Sequence, residues 1–147
     1  MELSPKKEDR IFDLLAVMAL LRSENGCPWD RAQTHASIRQ NVVEEAYEVA
    51  DAIDRGDDTA LCEELGDLLL QVVFHSRLAE EEGAFTFAEV ADGICQKLIY
   101  RHPHVFGNLA LGAEQDAYAL WDARKAEERD RKRQPNGFRP CREPFPH

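Results

Sequence analysis

The stretch Leu61-Cys62-Glu63-Glu64-Leu65-Gly66-Asp67-Leu68-Leu69-Leu70-Gln71-Val72-Val73-Phe74-His75 decides the fold. Its apolar side chains Leu61, Leu65, Leu68, Leu69 and Val72, with Leu78 beyond, recur three and four residues apart, the period of an amphipathic helix and not of a strand. The spacing predicts a helix over residues 59–82 with those six side chains turned inward. Gly66 sits inside this pattern at a cost of about 1 kcal/mol relative to Ala, which points to close packing or ligand approach at that turn. Upstream, Gly56-Asp57-Asp58 reads as a short turn with Asp58 as the N-cap. Before it, Val42, Ala46, Val49, Ala50 and Ile53 mark the inner stripe of a helix over residues 37–54. A turn this short makes the two helices antiparallel neighbours.

The same period extends in both directions. Ile11, Leu14, Leu15, Met18 and Leu21 predict a helix over about residues 7–24, stopped by Asn25-Gly26 and Pro28. Residues 26–34 read as a loop. Gly83 ends the central helix. Thr86 with Glu89 forms a capping-box pattern, Phe85 serves as a hydrophobic staple, and a helix follows over residues 87–100. Pro103 and Gly107 punctuate the next connection. A last helix over residues 113–132 carries Tyr118, Leu120 and Trp121 and becomes strongly charged. Four prolines lie between Pro135 and His147. The reading is all-α: an antiparallel bundle of four to five helices in a domain of residues 1–133, followed by a Pro-rich, flexible tail over 134–147.

Eighteen basic against 28 acidic residues leave a net charge of −10 in 147 residues. Such a chain is repelled by a phosphate backbone, so bulk nucleic acid is not its partner. A single nucleotide remains open, because a bound divalent cation inverts the local field. No stretch approaches the ~20 continuous apolar residues of a membrane span. The run Leu14–Leu21 lacks the flanks of a signal peptide, so the cytoplasm is the expected location. Cys27, Cys62, Cys95 and Cys141 show no paired spacing for zinc or disulfides. Cys62 and Cys95 are expected to be small, buried helix residues.

Two acidic groups stand out within the helical pattern. Glu44-Glu45-Ala46-Tyr47-Glu48 lies on one helix of the hairpin and Glu63-Glu64-Leu65-Gly66-Asp67 on the other. Residues three or four apart share a helix face, so Glu45 projects with Glu48 and Glu64 with Asp67. Across an antiparallel interface the two pairs can converge. Gathered carboxylates repel, and a divalent cation turns the repulsion into coordination. An all-oxygen set favours magnesium, manganese or calcium over zinc. A solvated acidic face is the bland alternative, but these acids lie beside the apolar stripes and not opposite them.

At these residues the chain resembles the MazG family of nucleoside triphosphate pyrophosphohydrolases. The family pattern is E-E-x-x-E followed, after a short connection, by E-x-x-D, matched by Glu44-Glu45-Ala46-Tyr47-Glu48 and Glu64-Leu65-Gly66-Asp67. Gly26-Cys27-Pro28-Trp29-Asp30 with Gln33-Thr34-His35 resembles the preceding loop. Lys97 and Arg101-His102-Pro103-His104-Val105-Phe106 resemble the downstream segment. Trp121, Lys125 and Glu128 resemble a closing W-x-x-x-K-x-x-E. The match runs from about Leu14 to Arg129. It departs at Gln40-Asn41-Val42-Val43, where Asn41 could alter base or sugar preference, and the tail has no counterpart. The resemblance implies an α-helical fold completed as a homodimer or higher oligomer, and magnesium-dependent hydrolysis of a nucleoside triphosphate to monophosphate and pyrophosphate, consistent with nucleotide-pool housecleaning. It implies Glu45, Glu48, Glu64 and Asp67 as metal ligands, with manganese as a substitute ion. Lys97 and Arg101 become phosphate contacts, and Trp29, Trp121 and Lys125 substrate contacts.

The expected chemistry is in-line attack of water on the α-phosphorus. Glu44 or Glu48 is the candidate base, with Glu44 preferred because it lies one residue off the ligand face. Lys97 and Arg101, one turn apart, clamp the phosphates, or else simply complement a helix C-terminus. Trp29 stacks on a base, with Gln33 or Asn41 bonding to its edge, or it plugs one end of the bundle. His75, His102 and His104 are read as packing and capping residues. Two rivals remain: a non-catalytic magnesium–nucleotide regulatory module, and a redox di-metal bundle, which the absence of Glu-x-x-His pairs disfavours.

Overall fold

The computed structural model describes residues 1–107, 110 and 114–133. The expected tail over 134–147, and Cys141 within it, lie outside the described residues. These form seven α-helices and no strand: α1 (Arg10–Leu21), α2 (Pro28–Ala32), α3 (Arg39–Arg55), α4 (Asp58–Glu81), α5 (Phe87–Arg101), α6 (Pro103–Phe106) and α7 (Glu114–Arg133). A single 3₁₀ turn, Lys7–Asp9, leads into α1. None of the described helices is long and apolar enough to cross a membrane. The chain divides into two compact units, Met1–Phe87 and the residues from Ala88 onward.

In the first unit α3 and α4 form the predicted hairpin, and α1 packs on α4. The turn is fixed by three backbone features. Gly56 adopts φ 64°, a left-handed conformation that glycine reaches without a Cβ penalty. The Asp57 N–H donates to Ala52 O at 3.1 Å and the Gly56 N–H to Ile53 O at 3.0 Å, closing α3 with a Schellman motif. The Asp57 side chain then accepts from Ala60 N at 3.0 Å, capping α4. The cap is therefore Asp57 and not Asp58: Asp57 is the extended residue (φ −100°, ψ 95°), and Asp58 already belongs to the helix.

The core gathers Met18, Ile38, Val73, Phe74 and Leu78, with Leu14, Leu15, Leu21, Leu70 and Phe87 packed against it. It lies under the C-terminal half of α4. Of the six α4 side chains expected inward, Leu78 is buried, Leu61 and Leu68 are half-buried, and Leu65, Leu69 and Val72 are exposed. On α3, Val42 and Val49 are half-buried, whereas Ala46, Ala50 and Ile53 are exposed and Ala52 is buried instead. Periodicity identifies an apolar face but not what covers it. Here α1 and α3 cover only part of α4, and Leu65, Leu69 and Val72 form an i, i+4, i+7 stripe that the unit leaves open. Cys62 and Cys95 sit on helices as expected but are exposed.

The predicted loop over residues 26–34 contains α2, opened by Pro28 in its first turn. Gly26 makes the entry possible. A Cβ there would stand 2.3 Å from the carbonyl oxygens of Leu20 and Leu21. In the second unit, α5 and α7 are joined by polar contacts. The Tyr100 hydroxyl donates to Glu127 at 2.7 Å and accepts from Arg131 at 2.7 Å and Arg124 at 3.1 Å. His102 contacts Leu98 O through Nδ1 at 2.7 Å, the capping role expected of it at the end of α5.

Candidate metal and phosphate site

The hairpin sets the register of the acids. Glu45 lies eleven residues before Gly56 and Asp67 eleven after; Glu48 lies eight before and Glu64 eight after. In antiparallel helices, equal distance from the turn means equal height along the axes. Glu45 therefore faces Asp67, and Glu48 faces Glu64. The carboxylates of Glu45, Glu64 and Asp67 each bring an oxygen within 4.8 Å of the others. Glu48 is not in that close set, but its charge acts on two of its members.

The electrostatics reproduce the pairing. Partial burial pushes the Glu45 carboxyl above its ordinary value, and Asp67, Glu48 and Glu44 add to the shift in that order. Desolvation likewise raises Glu64, with Glu48 its strongest like-charged neighbour, followed by Asp67, Glu45 and Glu63. The leading neighbour of each is its partner across the hairpin. Among the described residues no histidine or cysteine joins the close set. Hard oxygen donors of this kind fit magnesium, manganese or calcium rather than zinc. Above Gly66, an added Cβ would meet nothing within 4 Å. The close packing inferred from its helix cost is absent among the described residues, and the space is open to a ligand.

Asn41 is half-buried one turn before Glu45 on the same face of α3. Glu44 is exposed. Trp29, on α2, is 60% exposed and plugs nothing within its unit. Gln33 closes α2: its Nε2 donates to Trp29 O at 2.9 Å and its Oε1 accepts from Ser37 at 2.8 Å. Its amide thus braces the loop that carries Trp29. Arg22 was not singled out by the sequence, yet it braces the same loop. It bonds to the carbonyls of Asp30 and Gln33 and to Glu81 on α4 at 2.7 Å. His75, read as a packing residue, meets His35 with Nδ1 to Nδ1 at 2.7 Å. The ring centroids are 5.0 Å apart with planes 7° from parallel. Those values describe two nearly coplanar rings meeting nitrogen to nitrogen, an in-plane N–H···N bond that links the segment before α3 to α4. The Arg22–Glu81 and His35–His75 contacts span 59 and 40 residues and leave no local signal.

The second unit holds the other candidates. Lys97 and Arg101 lie one turn apart on α5, both half-buried. Arg101 donates to both carboxylate oxygens of Glu128 on α7, from Nε at 2.9 Å and Nη2 at 2.6 Å. Its guanidinium carbon is 5.6 Å from the centre of the Trp121 ring, and Lys125 Nζ is 4.5 Å from the same ring. Trp121, Lys125 and Arg101 thus form one cation–π cluster.

Comparison with known proteins places these residues in context. Residues 33–106 match the family model of the MazG nucleotide pyrophosphohydrolase domain. A nucleoside triphosphate pyrophosphohydrolase of Escherichia coli K12 is 48% identical over 127 residues, covering 86% of this chain and 48% of the relative. The nucleoside triphosphate pyrophosphohydrolase/pyrophosphatase MazG of Thermotoga maritima is 47% identical over 121 residues, 82% of this chain and 46% of its own length. This chain thus spans less than half of either relative. A crystal structure of a mazG-related protein from Thermotoga maritima shares the fold, with a TM-score of 0.63 at 24% identity over 78% of this chain and 98% of that one. The family model covers both acidic motifs together with Lys97 and Arg101, and the chain belongs to the MazG nucleotide pyrophosphohydrolase domain family.

Proposed function

We propose that this chain hydrolyses nucleoside triphosphates to the monophosphate and pyrophosphate with magnesium, in the cytoplasmic nucleotide pool. The observation that carries the reading is the meeting of Glu45, Glu64 and Asp67 across the α3–α4 hairpin. Glu45, Glu48, Glu64 and Asp67 are the ligands in this reading, and manganese is an alternative ion. Magnesium held by these carboxylates would supply charge neutralisation at the phosphate oxygens. The chain's own groups do the rest. Glu44 or Glu48 takes the proton of the attacking water as its oxygen bonds to the α-phosphorus. The bond from that phosphorus to the bridging oxygen breaks, and pyrophosphate leaves. Lys97 and Arg101 bind phosphate oxygens, Arg101 in two-point fashion and Lys97 as a point charge. Trp29, Trp121 and Lys125 contact the nucleotide, with Gln33 and Asn41 near its base or sugar.

We also infer a homodimer or higher homo-oligomer. The open stripe of Leu65, Leu69 and Val72, 38–49% exposed, supports it, because contiguous apolar surface of this kind is ordinarily covered. The deciding experiment incubates purified protein with a panel of canonical and modified NTPs and dNTPs, with and without magnesium. Release of equimolar monophosphate and pyrophosphate is expected. Tight nucleotide binding without either product would replace the enzyme reading with that of a regulatory module.

A further inference from the structure

Glu128 is the one charged residue that is buried among the described residues, at 4% exposure. Both of its oxygens are spent on one partner, Arg101. The fork it grips is the Nε–Nη2 edge, two of the five N–H donors of a planar guanidinium. The centre of the Trp121 ring lies 5.6 Å from the carbon of the same guanidinium. The Nη1–Nη2 edge is left, and its spacing suits two oxygens of one phosphate. What exposure the pair retains is mostly that of Arg101, 12% against 4%.

Burying a charge against a single partner is a poor way to gain stability, since desolvation consumes most of the attraction. It is a good way to hold a guanidinium still. We propose that Glu128 is the positioning residue of Arg101: it holds one edge of the guanidinium so that the other is pre-aligned for two oxygens of the substrate's polyphosphate. The inference rests on Arg101 being a phosphate contact in the reading above.

Charge and geometry make opposite predictions here. If only charge mattered, removing the Glu128 carboxylate would tighten polyphosphate binding, because a negative group near the anion is lost. If Glu128 positions Arg101, the same change weakens binding. The test uses the full chain with Glu128→Gln, Glu128→Asp, Arg101→Ala and the Glu128→Gln/Arg101→Ala double variant, each checked for helicity by circular dichroism. The readouts are kcat and KM for the magnesium–NTP complex, the affinity for inorganic triphosphate as a non-nucleotide probe, and the thermal shift given by magnesium alone. Glu128→Gln should weaken triphosphate binding and raise KM by about tenfold, leave the magnesium shift unchanged, and add nothing once Arg101 is alanine. Glu128→Asp, which keeps the charge, should recover part of the loss. Unchanged or tighter triphosphate binding in folded Glu128→Gln would overturn the proposal, as would independent effects in the double variant. If Glu128→Gln does not fold, Glu128→Asp decides: weakened triphosphate binding supports positioning, and wild-type affinity overturns it. A wild-type chain that binds triphosphate but turns over no NTP would refute the hydrolase reading, while the binding comparison still tests Glu128.

Discussion

Replacing Asp67 by asparagine removes one negative charge from the hairpin and changes little in size or shape. In the metal-free protein, Asp67 contributes to raising both Glu45 and Glu64, and an oxygen of each lies within 4.8 Å of the other two. That is shorter than the Debye length of about 8 Å at physiological ionic strength, so dissolved salt screens the repulsion within the group only in part. Asp67→Asn should therefore raise the melting temperature of the metal-free chain. Magnesium reverses the order. At about 100 times its Kd, an ion bound only by the folded state adds about 2.7 kcal/mol. For a chain of this size that is roughly 5–11 °C. Asparagine offers one neutral oxygen in place of a carboxylate. A hundredfold loss of affinity at the same magnesium concentration would leave about 0.4 kcal/mol, or roughly 1–2 °C.

The two proteins should thus cross: the variant melts higher in EDTA and lower in saturating magnesium. Differential scanning calorimetry across a magnesium titration reads this directly, with potassium chloride at matched ionic strength as the control for screening. A variant that melts lower than wild type without metal would show that the carboxylates do not repel as their geometry requires. A variant that keeps the full magnesium shift would remove Asp67 from the ligand set.

Gly66→Ala should stabilise the metal-free fold by about 1 kcal/mol, since the new methyl meets no atom within 4 Å and α4 gains a better helix former; unchanged stability in thermal melts would contradict this, and a simultaneous loss of turnover would mark the space above α4 as one a ligand enters. Glu48→Gln should retain the helical spectrum while kcat falls by roughly 100-fold or more, and near-normal turnover would remove Glu48 from the chemistry. His75 has its pKa lowered from 6.5, first by burial and then by His35. The folded state therefore resists a proton that the unfolded chain accepts, so the His75 contribution is full above 6.5 and is lost as pH falls below it. Melting curves between about pH 8 and about pH 5 should show a loss on acidification that His75→Leu diminishes; identical slopes in the two proteins would rule it out. Leu69→Lys should shift the chain toward monomer in light scattering, and an unchanged mass would remove the α4 stripe from the interface.

How much of this was legible in the sequence differs from feature to feature, for physical reasons. The long helices were, because roughly three turns or more of apolar spacing leave a period. The short helices α2 and α6 were not, since four or five residues carry no period; their only sign was a proline at the first helical position, Pro28 and Pro103. The inward faces of α3 and α4 were misjudged at Leu65, Leu69 and Ile53 because a pattern reports which side is apolar, not whether a neighbour covers it. The candidate acids were legible as spacing, whereas the long-range side-chain pairs were not. Arg101 and Glu128 are 27 residues apart, and His35 and His75 are 40 apart. Such contacts are made by packing alone and leave no trace in local order.

The acids show where sequence and fold meet most closely. Glu45 pairs with Asp67, and Glu48 with Glu64, because each pair is equidistant from Gly56. The separation of the two motifs along the chain is therefore not itself the constraint; symmetry about the turn is. One residue added to one helix alone would displace its acids by about 1.5 Å and rotate them by about 100° relative to the other. The carboxylates would then leave the shared face, although every acid was still present. Adding about one turn to each helix would restore both height and orientation. The Gly56–Asp57 turn, which touches no substrate in this reading, thus controls the site as strictly as the acids do, through the left-handed glycine and the aspartate cap that fix where α3 stops and α4 starts.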